Sequence, residues 1–203
     1  YPEFVGNTIG NADLEPQRTT MYEIGLQQEL TPTIGVTLTG YYKDIRNLLG
    51  LEIHIKNDFK KFGKYVNRNY GAVRGITLSF EKRLTDGFGA NVDYTYQIAK
   101  GDASDPNDDY NKAQASPPIE SNRSLVPLSW DRRHSLNATV TLGTPNDFIA
   151  SLIGRFGSGL PYTPSLVNQR TGLENSDTRP SFYTVDLYCT KYITFNGMNL
   201  SLF

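Results

Sequence analysis

Apolar and polar residues alternate along most of this chain with a period of two. Between Thr20 and Leu30, Tyr22, Ile24, Leu26 and Leu30 share one parity, while Glu23, Gly25, Gln27 and Glu29 share the other. A strand places such sets on opposite faces, whereas a helix would scatter them. The same two-faced pattern predicts a second strand over Ile34 to Leu48 and a third over Tyr65 to Leu84. A fourth follows over Phe88 to Ile98, and a fifth begins at Asp131 or His134. A sixth covers Phe148 to Phe156, with Ile149 and Ile153 making its second face less polar than elsewhere. A seventh covers Phe182 to Ile193, and an eighth starts at Met198.

The breaks between these strands come in two lengths. Thr31-Pro32-Thr33, Thr85-Asp86-Gly87, Thr144-Pro145-Asn146-Asp147 and Asn196-Gly197 are tight turns, with Asp-Gly and Asn-Gly the strongest hairpin signals. Tyr1 to Arg18 reads as loop. Leu49 to Lys64 reads as a strand running out of a membrane into a long loop. Lys100 to Trp130 and Gly157 to Arg179 read as further long loops. Short turns alternating with long loops are a property of outer-membrane barrels, whose turns lie on the periplasmic side and whose loops lie outside. The predicted fold is therefore all-β: an antiparallel up-and-down transmembrane β-barrel segment of roughly eight strands.

Composition supports this. Only 38% of the 203 residues are hydrophobic, and Tyr (13) and Phe (10) carry much of that. A polar lumen with an aromatic-rimmed outer band gives such numbers, while soluble domains reach about 45–50% apolar. The net charge of -1 gives no reason to expect nucleic acid. Cys189 is the single cysteine, so no internal disulfide forms, and no zinc spacing occurs. No run of about twenty apolar residues is present, and no signal peptide opens the chain. Tyr1 and the missing start methionine suggest a fragment, with 1–203 as one partial barrel domain.

Several motifs then resemble one family. Gly10-Asn11-Ala12-Asp13-Leu14-Glu15-Pro16-Gln17, followed by Tyr22-Glu23-Ile24-Gly25, resembles a recurrent stretch of TonB-dependent outer-membrane receptors. Its usual form is Gly-Asn-Pro-Asp-Leu-Lys-Pro-Glu and then Tyr-Glu-x-Gly; Ala12, Glu15 and Gln17 depart from it. Tyr41-Tyr42-Lys43-Asp44-Ile45, Gly71-Ala72-Val73-Arg74-Gly75-Ile76, Trp130-Asp131-Arg132-Arg133-His134-Ser135-Leu136-Asn137, Ser158-Gly159-Leu160-Pro161-Tyr162-Thr163 and Val185-Asp186-Leu187 follow in order. The resemblance implies the C-terminal part of a barrel of about 22 strands with a plugged lumen. It implies residence in the outer membrane of a Gram-negative bacterium and TonB-powered uptake of a scarce nutrient of the siderophore, cobalamin, saccharide or peptide class. The plug, with its TonB contact, and the closing strands are absent from these residues, so no site residue of the family carries over. The implied partners are outer-membrane lipid, the plug, the TonB complex through that plug, and a small nutrient ligand. Phe203 reads as a truncation point.

No catalytic residue, cofactor or metal site is expected. Asp131, Arg132, Arg133 and His134 suggest a rim where a loop re-enters the sheet more than part of a Ser/His/Asp site. The acidic run Asp102 to Asp109 lacks the ligand order of an EF-hand. Outward Tyr42, Tyr94, Tyr96, Phe148, Phe156 and Tyr183 suit interfacial belts. Glu23, Glu29, Arg74 and Arg83 are candidates for the lumen, although Arg74 falls on the outward parity. The ligand-contact candidates are inward Tyr41 and Tyr188 and loop residues Tyr110, Trp130 and Tyr162. Two rival readings are a soluble lipocalin-like binding barrel and another outer-membrane barrel, a porin or barrel enzyme.

Overall fold

The computed structural model describes residues 8–55, 61–102, 125–144, 147–166, 169–195 and 198–202. Its elements in chain order are β1 (Thr8–Ile9), β2 (Arg18–Thr31), β3 (Ile34–Ile55), β4 (Lys61–Thr85), β5 (Phe88–Gly101), β6 (Val126–Pro127) and β7 (His134–Thr144). They continue with β8 (Phe148–Gly157), β9 (Pro161–Tyr162), β10 (Ser165–Leu166), β11 (Gln169–Arg170), β12 (Asp177–Thr178), β13 (Phe182–Phe195) and β14 (Met198–Leu202). No described residue is helical.

The eight long strands form one antiparallel meander in the order β14-β13-β8-β7-β5-β4-β3-β2, with β1 added to β4 and β6 to β5. The sheet is a partial, unclosed barrel. Consecutive long strands pair throughout, and short turns close the β2–β3, β4–β5 and β7–β8 hairpins locally. At the β4–β5 turn, Asp86 and Gly87 both adopt positive φ, 55° and 76°. Two such residues in succession match the right-handed twist of the flanking strands. At the next turn-end position Gly143 has φ 131°, and a Cβ there would run into the Phe148 carbonyl oxygen, so only glycine fits.

Register converts the sequence alternation into two continuous faces. On one face Leu26, Leu38, Leu78, Tyr94, Leu136, Phe156 and Tyr183 follow one another across seven strands. On the other, Gln27, Thr37, Ser79, Asp93, Asn137, Arg155 and Thr184 do so. The apolar face is bare: Ile24 is 80% exposed and Leu78 43%. A soluble barrel of lipocalin type would have sealed these side chains inside. The buried residues Ile45, Val73 and Ala99, on the polar parity, cluster with Leu128 at the end where the long loops emerge.

Four loop expectations change. The segment Leu49 to Lys64 does not leave the sheet at Leu49: pairing runs from Leu49↔Asn67 to Ile55↔Lys61, after register shifts around Leu48. Leu49, Leu51, Ile53 and Ile55 alternate there with Gly50, Glu52 and His54, and Leu51 is fully buried. Thr8 and Ile9, expected as loop, pair in parallel with Gly63 and Lys64. Inside the expected loop Lys100 to Trp130, Val126 and Pro127 pair with Gly101 and Lys100. Gly157 to Arg179 holds two small antiparallel pairs, β9 with β12 and β10 with β11. The turn residues Pro145, Asn146, Asn196 and Gly197, and Phe203, lie outside the described residues.

Candidate functional site

The polar face carries the chemistry, because its side chains bond to one another across strands. Thr77 and Thr95 hydroxyls meet at 3.1 Å, Ser79 donates to Asp93 at 2.6 Å, and Thr141 and Ser151 meet at 3.2 Å. Each pair is directly opposite in register, so a hydroxyl reaches its neighbour without bending the strand. Glu23 and Glu29 lie on this face, opposite Tyr41 and Gly35. Arg74 does not: it sits between Tyr42 and Ile98 on the apolar side, as its parity requires.

Tyr41 makes the longest cross-link. Its hydroxyl donates to the Gln97 side-chain oxygen at 3.0 Å, two strands away. Gly75 stands between them in register, and a Cβ there would lie 2.5 Å from the Tyr41 ring. The missing side chain is what lets the ring lie flat across β4. The Lys43 ammonium lies 5.3 Å from the centre of that ring, within cation–π range.

Above Tyr41 the chain after β6 folds over the Ile45–Val73–Ala99 patch through Leu128. Asp131, fully buried, anchors it. One carboxylate oxygen accepts the Ala99 N–H at 2.7 Å and the other accepts Arg133 Nε at 2.7 Å. Here the side chain stands in for the carbonyl of a missing neighbour strand: β5 pairs with β7 only up to Tyr96↔His134, and β6 resumes at Lys100. Trp130, beside this buried anchor, is 47% exposed. His134 does not meet Asp131; its Nδ1 contacts the Tyr94 hydroxyl at 2.7 Å, and its N–H donates to Ser158 Oγ at 3.0 Å. Asp131 and His134 thus tie the re-entering chain to the sheet through separate partners.

The last outer loop docks on the same region. Asn175 has φ 51°, and its side-chain amide donates to the Pro127 carbonyl at 2.7 Å while its N–H donates to Thr163 Oγ1 at 3.0 Å. Tyr162 donates its hydroxyl to Asp177 at 2.8 Å. That bond holds the Tyr162 phenol above its ordinary range. The Thr178 N–H first, and the Tyr162 hydroxyl second, hold the Asp177 carboxyl below its own.

Of the ligand-contact candidates, Tyr41, Trp130 and Tyr162 thus belong to the loop end of the wall. Tyr188 stands apart at the turn end, in the row Gly89–Thr141–Ser151–Tyr188. Tyr110 lies outside the described residues, as do Asp105, Asp108 and Asp109. Asp102 accepts the Tyr70 N–H at 2.8 Å and closes the β4–β5 end. Among the described residues no cluster of His, Cys, Asp and Glu could hold a metal. Gln97 and Asn175 were not singled out from the sequence, and Asp131 was read only as part of a charged rim motif. Nothing in a linear pattern marks a carboxylate that will replace a strand.

An open sheet with one bare apolar face, one cross-linked polar face and loops gathered at one end defines a segment of a membrane-spanning β-barrel. The family model described as "TonB dependent receptor-like, beta-barrel" matches residues 1–203, and the chain belongs to that family. Solved structures share the fold. The outer membrane transporter YddB from Escherichia coli is 15% identical with a TM-score of 0.65, over 92% of this chain and 28% of that one. The FrpB iron transporter from Neisseria meningitidis is 15% identical with a TM-score of 0.61, over 97% and 28%. The ferric-catecholate import receptor Fiu from E. coli K12 is 18% identical with a TM-score of 0.57, over 91% and 22%. The chain thus spans under a third of the length of these three proteins. No curated protein matches its sequence.

Proposed function

We propose that this chain is wall and outer loops of a TonB-dependent receptor in a Gram-negative outer membrane, and that the receptor takes up a scarce nutrient actively. The observation that carries the reading is the pair of faces: a bare apolar surface suited to lipid behind a hydrogen-bonded polar surface suited to a water-lined bore. Ligand is captured at the loop end, where Tyr41, Trp130 and Tyr162 are presented by rigid supports. The plug then rearranges under TonB, and the ligand passes along the polar wall. The wall's own task is to stay rigid while the plug moves, which its cross-strand hydroxyl pairs serve. The proposed partners are outer-membrane lipid, the plug, TonB through the plug, and the ligand; no catalytic step is assigned to the wall.

The test is uptake by cells with and without the receptor that carries this segment, using a panel of iron chelates, cobalamin, oligosaccharides and peptides. The reading expects loss of uptake of one class, and arrest of that uptake by a protonophore. Uptake indifferent to the protonophore would make the protein a passive pore.

A further inference from the structure

The chain enters β2 by crossing the hairpin that β3 and β4 form at the loop end. Gly63 and Lys64 pair with Ile53 and Glu52 on one edge and with Thr8 and Ile9 on the other. Arg18, by contrast, pairs with Arg46 on the edge of β3 away from β4. Residues 10–17 must therefore pass over one face of the hairpin, from the β4 edge to the β3 edge. Asn67 identifies that face. Its carboxamide oxygen accepts the Glu15 N–H at 2.7 Å, and its Nδ2 donates to the Glu15 carbonyl at 2.8 Å and to the Asn47 carbonyl at 3.0 Å. One side chain thus offers Glu15 the donor and acceptor that a neighbouring strand would supply. The Asn47 side chain in turn donates to a Glu15 carboxylate oxygen at 3.0 Å. Leu51 pairs with Tyr65, two residues out from the Leu49↔Asn67 pair and on the same face, and it has no exposed surface.

This contact falls where the hairpin is weakest. Its register slips twice, between Ile45 and Leu48 and between Leu48 and Leu49. Asn47, inside the first slip, has φ 61°, which asparagine tolerates better than most side chains. Bulges in succession interrupt the ladder and give the hairpin a place to bend. Leu48, at that place, packs on the patch of Ile45, Val73, Ala99 and Leu128, and so does Tyr41.

We infer that Asn67 and Asn47 are positioning residues that clasp residues 8–16 to the β3–β4 hairpin, so that the loop before β2 and the hairpin beyond Leu48 move as one body about the double bulge. Their action on a ligand is indirect: the body they join ends at Leu48, on the patch that supports Tyr41. That this end of the sheet captures ligand rests on the function proposed above, whereas the clasp rests on its own hydrogen bonds.

Hydrogen exchange of the receptor that carries this segment, in detergent, tests the clasp. Asn67→Leu keeps the shape of the side chain and removes its bonds to Glu15 and Asn47. Exchange should accelerate about 10- to 30-fold in two places together, residues 13–15 and 49–55, and stay at the parent rate at Leu38 and Leu78. Asn47→Gly keeps the positive φ and removes the side-chain bond to Glu15, so both places should accelerate about threefold. Glu15→Gln retains the main-chain bonds and an acceptor for Asn47, and should exchange at the parent rate. Acceleration at residues 13–15 without residues 49–55 would show two independent loops and overturn the inference. So would acceleration that spreads to Leu38 and Leu78, or none at all. Where Asn67→Leu does not fold, Asn47→Gly decides on the same two places, and parent rates at both would overturn the inference. Uptake by cells carrying the parent receptor, with and without a protonophore, separates this from the transport reading: uptake indifferent to the protonophore would overturn active transport and leave the clasp standing.

Discussion

Gly75→Ala probes the wall most sharply. A methyl group at this position would stand 2.5 Å from the Tyr41 ring and 2.8 Å from the Tyr96 carbonyl oxygen. The ring must lift, and its hydroxyl then leaves Gln97. Overpacking costs about 1–3 kcal/mol. The lost hydrogen bond adds about 0.5–1.5 kcal/mol. The substitution should therefore destabilise the barrel by about 2–4 kcal/mol. Tyr41→Ala empties the space above Gly75, so the methyl group should cost less in that background, and only the Tyr96 carbonyl contact should remain. The coupling between the two sites should be about 1–3 kcal/mol. Urea titration of the folded, gel-shifted form of the receptor in detergent reads all four corners of the cycle. A Gly75→Ala cost that is the same with Tyr41 present or absent would refute the idea that the ring lies over this glycine.

Asp131→Ala should leave the buried Ala99 N–H without an acceptor and cost about 1–3 kcal/mol, with hydrogen exchange accelerated at Ala99. Asp131→Asn keeps an acceptor for Ala99 and should cost less. Ile24→Arg, on the lipid side, should destabilise the folded barrel by about 2–4 kcal/mol if it sits near the bilayer midplane, while Gln27→Arg on the polar wall should be tolerated in the same urea titration. The β9–β12 hairpin should have a pH window. Asp177, with its pKa lowered below the ordinary 3.8, contributes above that value and loses its contribution as pH falls through the lowered pKa. Tyr162, raised above 10.0, contributes below that value and loses its contribution as pH rises through the raised pKa. Exchange of the Arg179 N–H, bonded to Leu160 O at 2.9 Å, follows both limbs, and Tyr162→Phe should abolish the alkaline one.

The strands and their facing were legible because a half-solvated sheet repeats every two residues, and one register slip would bring every apolar side chain to the wrong face. Asp86-Gly87 was legible for a local reason, since few residue pairs accept positive φ in succession. Legibility failed where that constraint lapses. At Leu48 the register shifts, and Leu49, Leu51, Ile53 and Ile55 take up the alternation again against Gly50, Glu52 and His54 on the far side of that break. Site residues were harder still. Tyr41 could be placed on the inward face by parity, but its partner Gln97 lies two strands away, and only register joins them. The Asp131–Ala99 bond depends on where β7 stops pairing with β5, a property of the assembled sheet. Tyr41, Trp130 and Tyr162 come to one end because the meander places every long loop there, which the alternation of turn lengths had implied. Tyr188 shared Tyr41's parity but not its height along the strands.

The facing of the two surfaces bears the whole account, and site-directed labelling measures it directly. Single cysteines at Ile24, Leu78 and Val92, and separately at Gln27, Thr77 and Asp93, would be introduced with Cys189→Ser into the receptor that carries this segment. Fluorophores at the first set should be quenched by brominated lipid chains, and thiols at the second set should react with a water-soluble maleimide. The opposite pattern, with Ile24, Leu78 and Val92 shielded from lipid and Gln27, Thr77 and Asp93 in contact with it, would contradict the account.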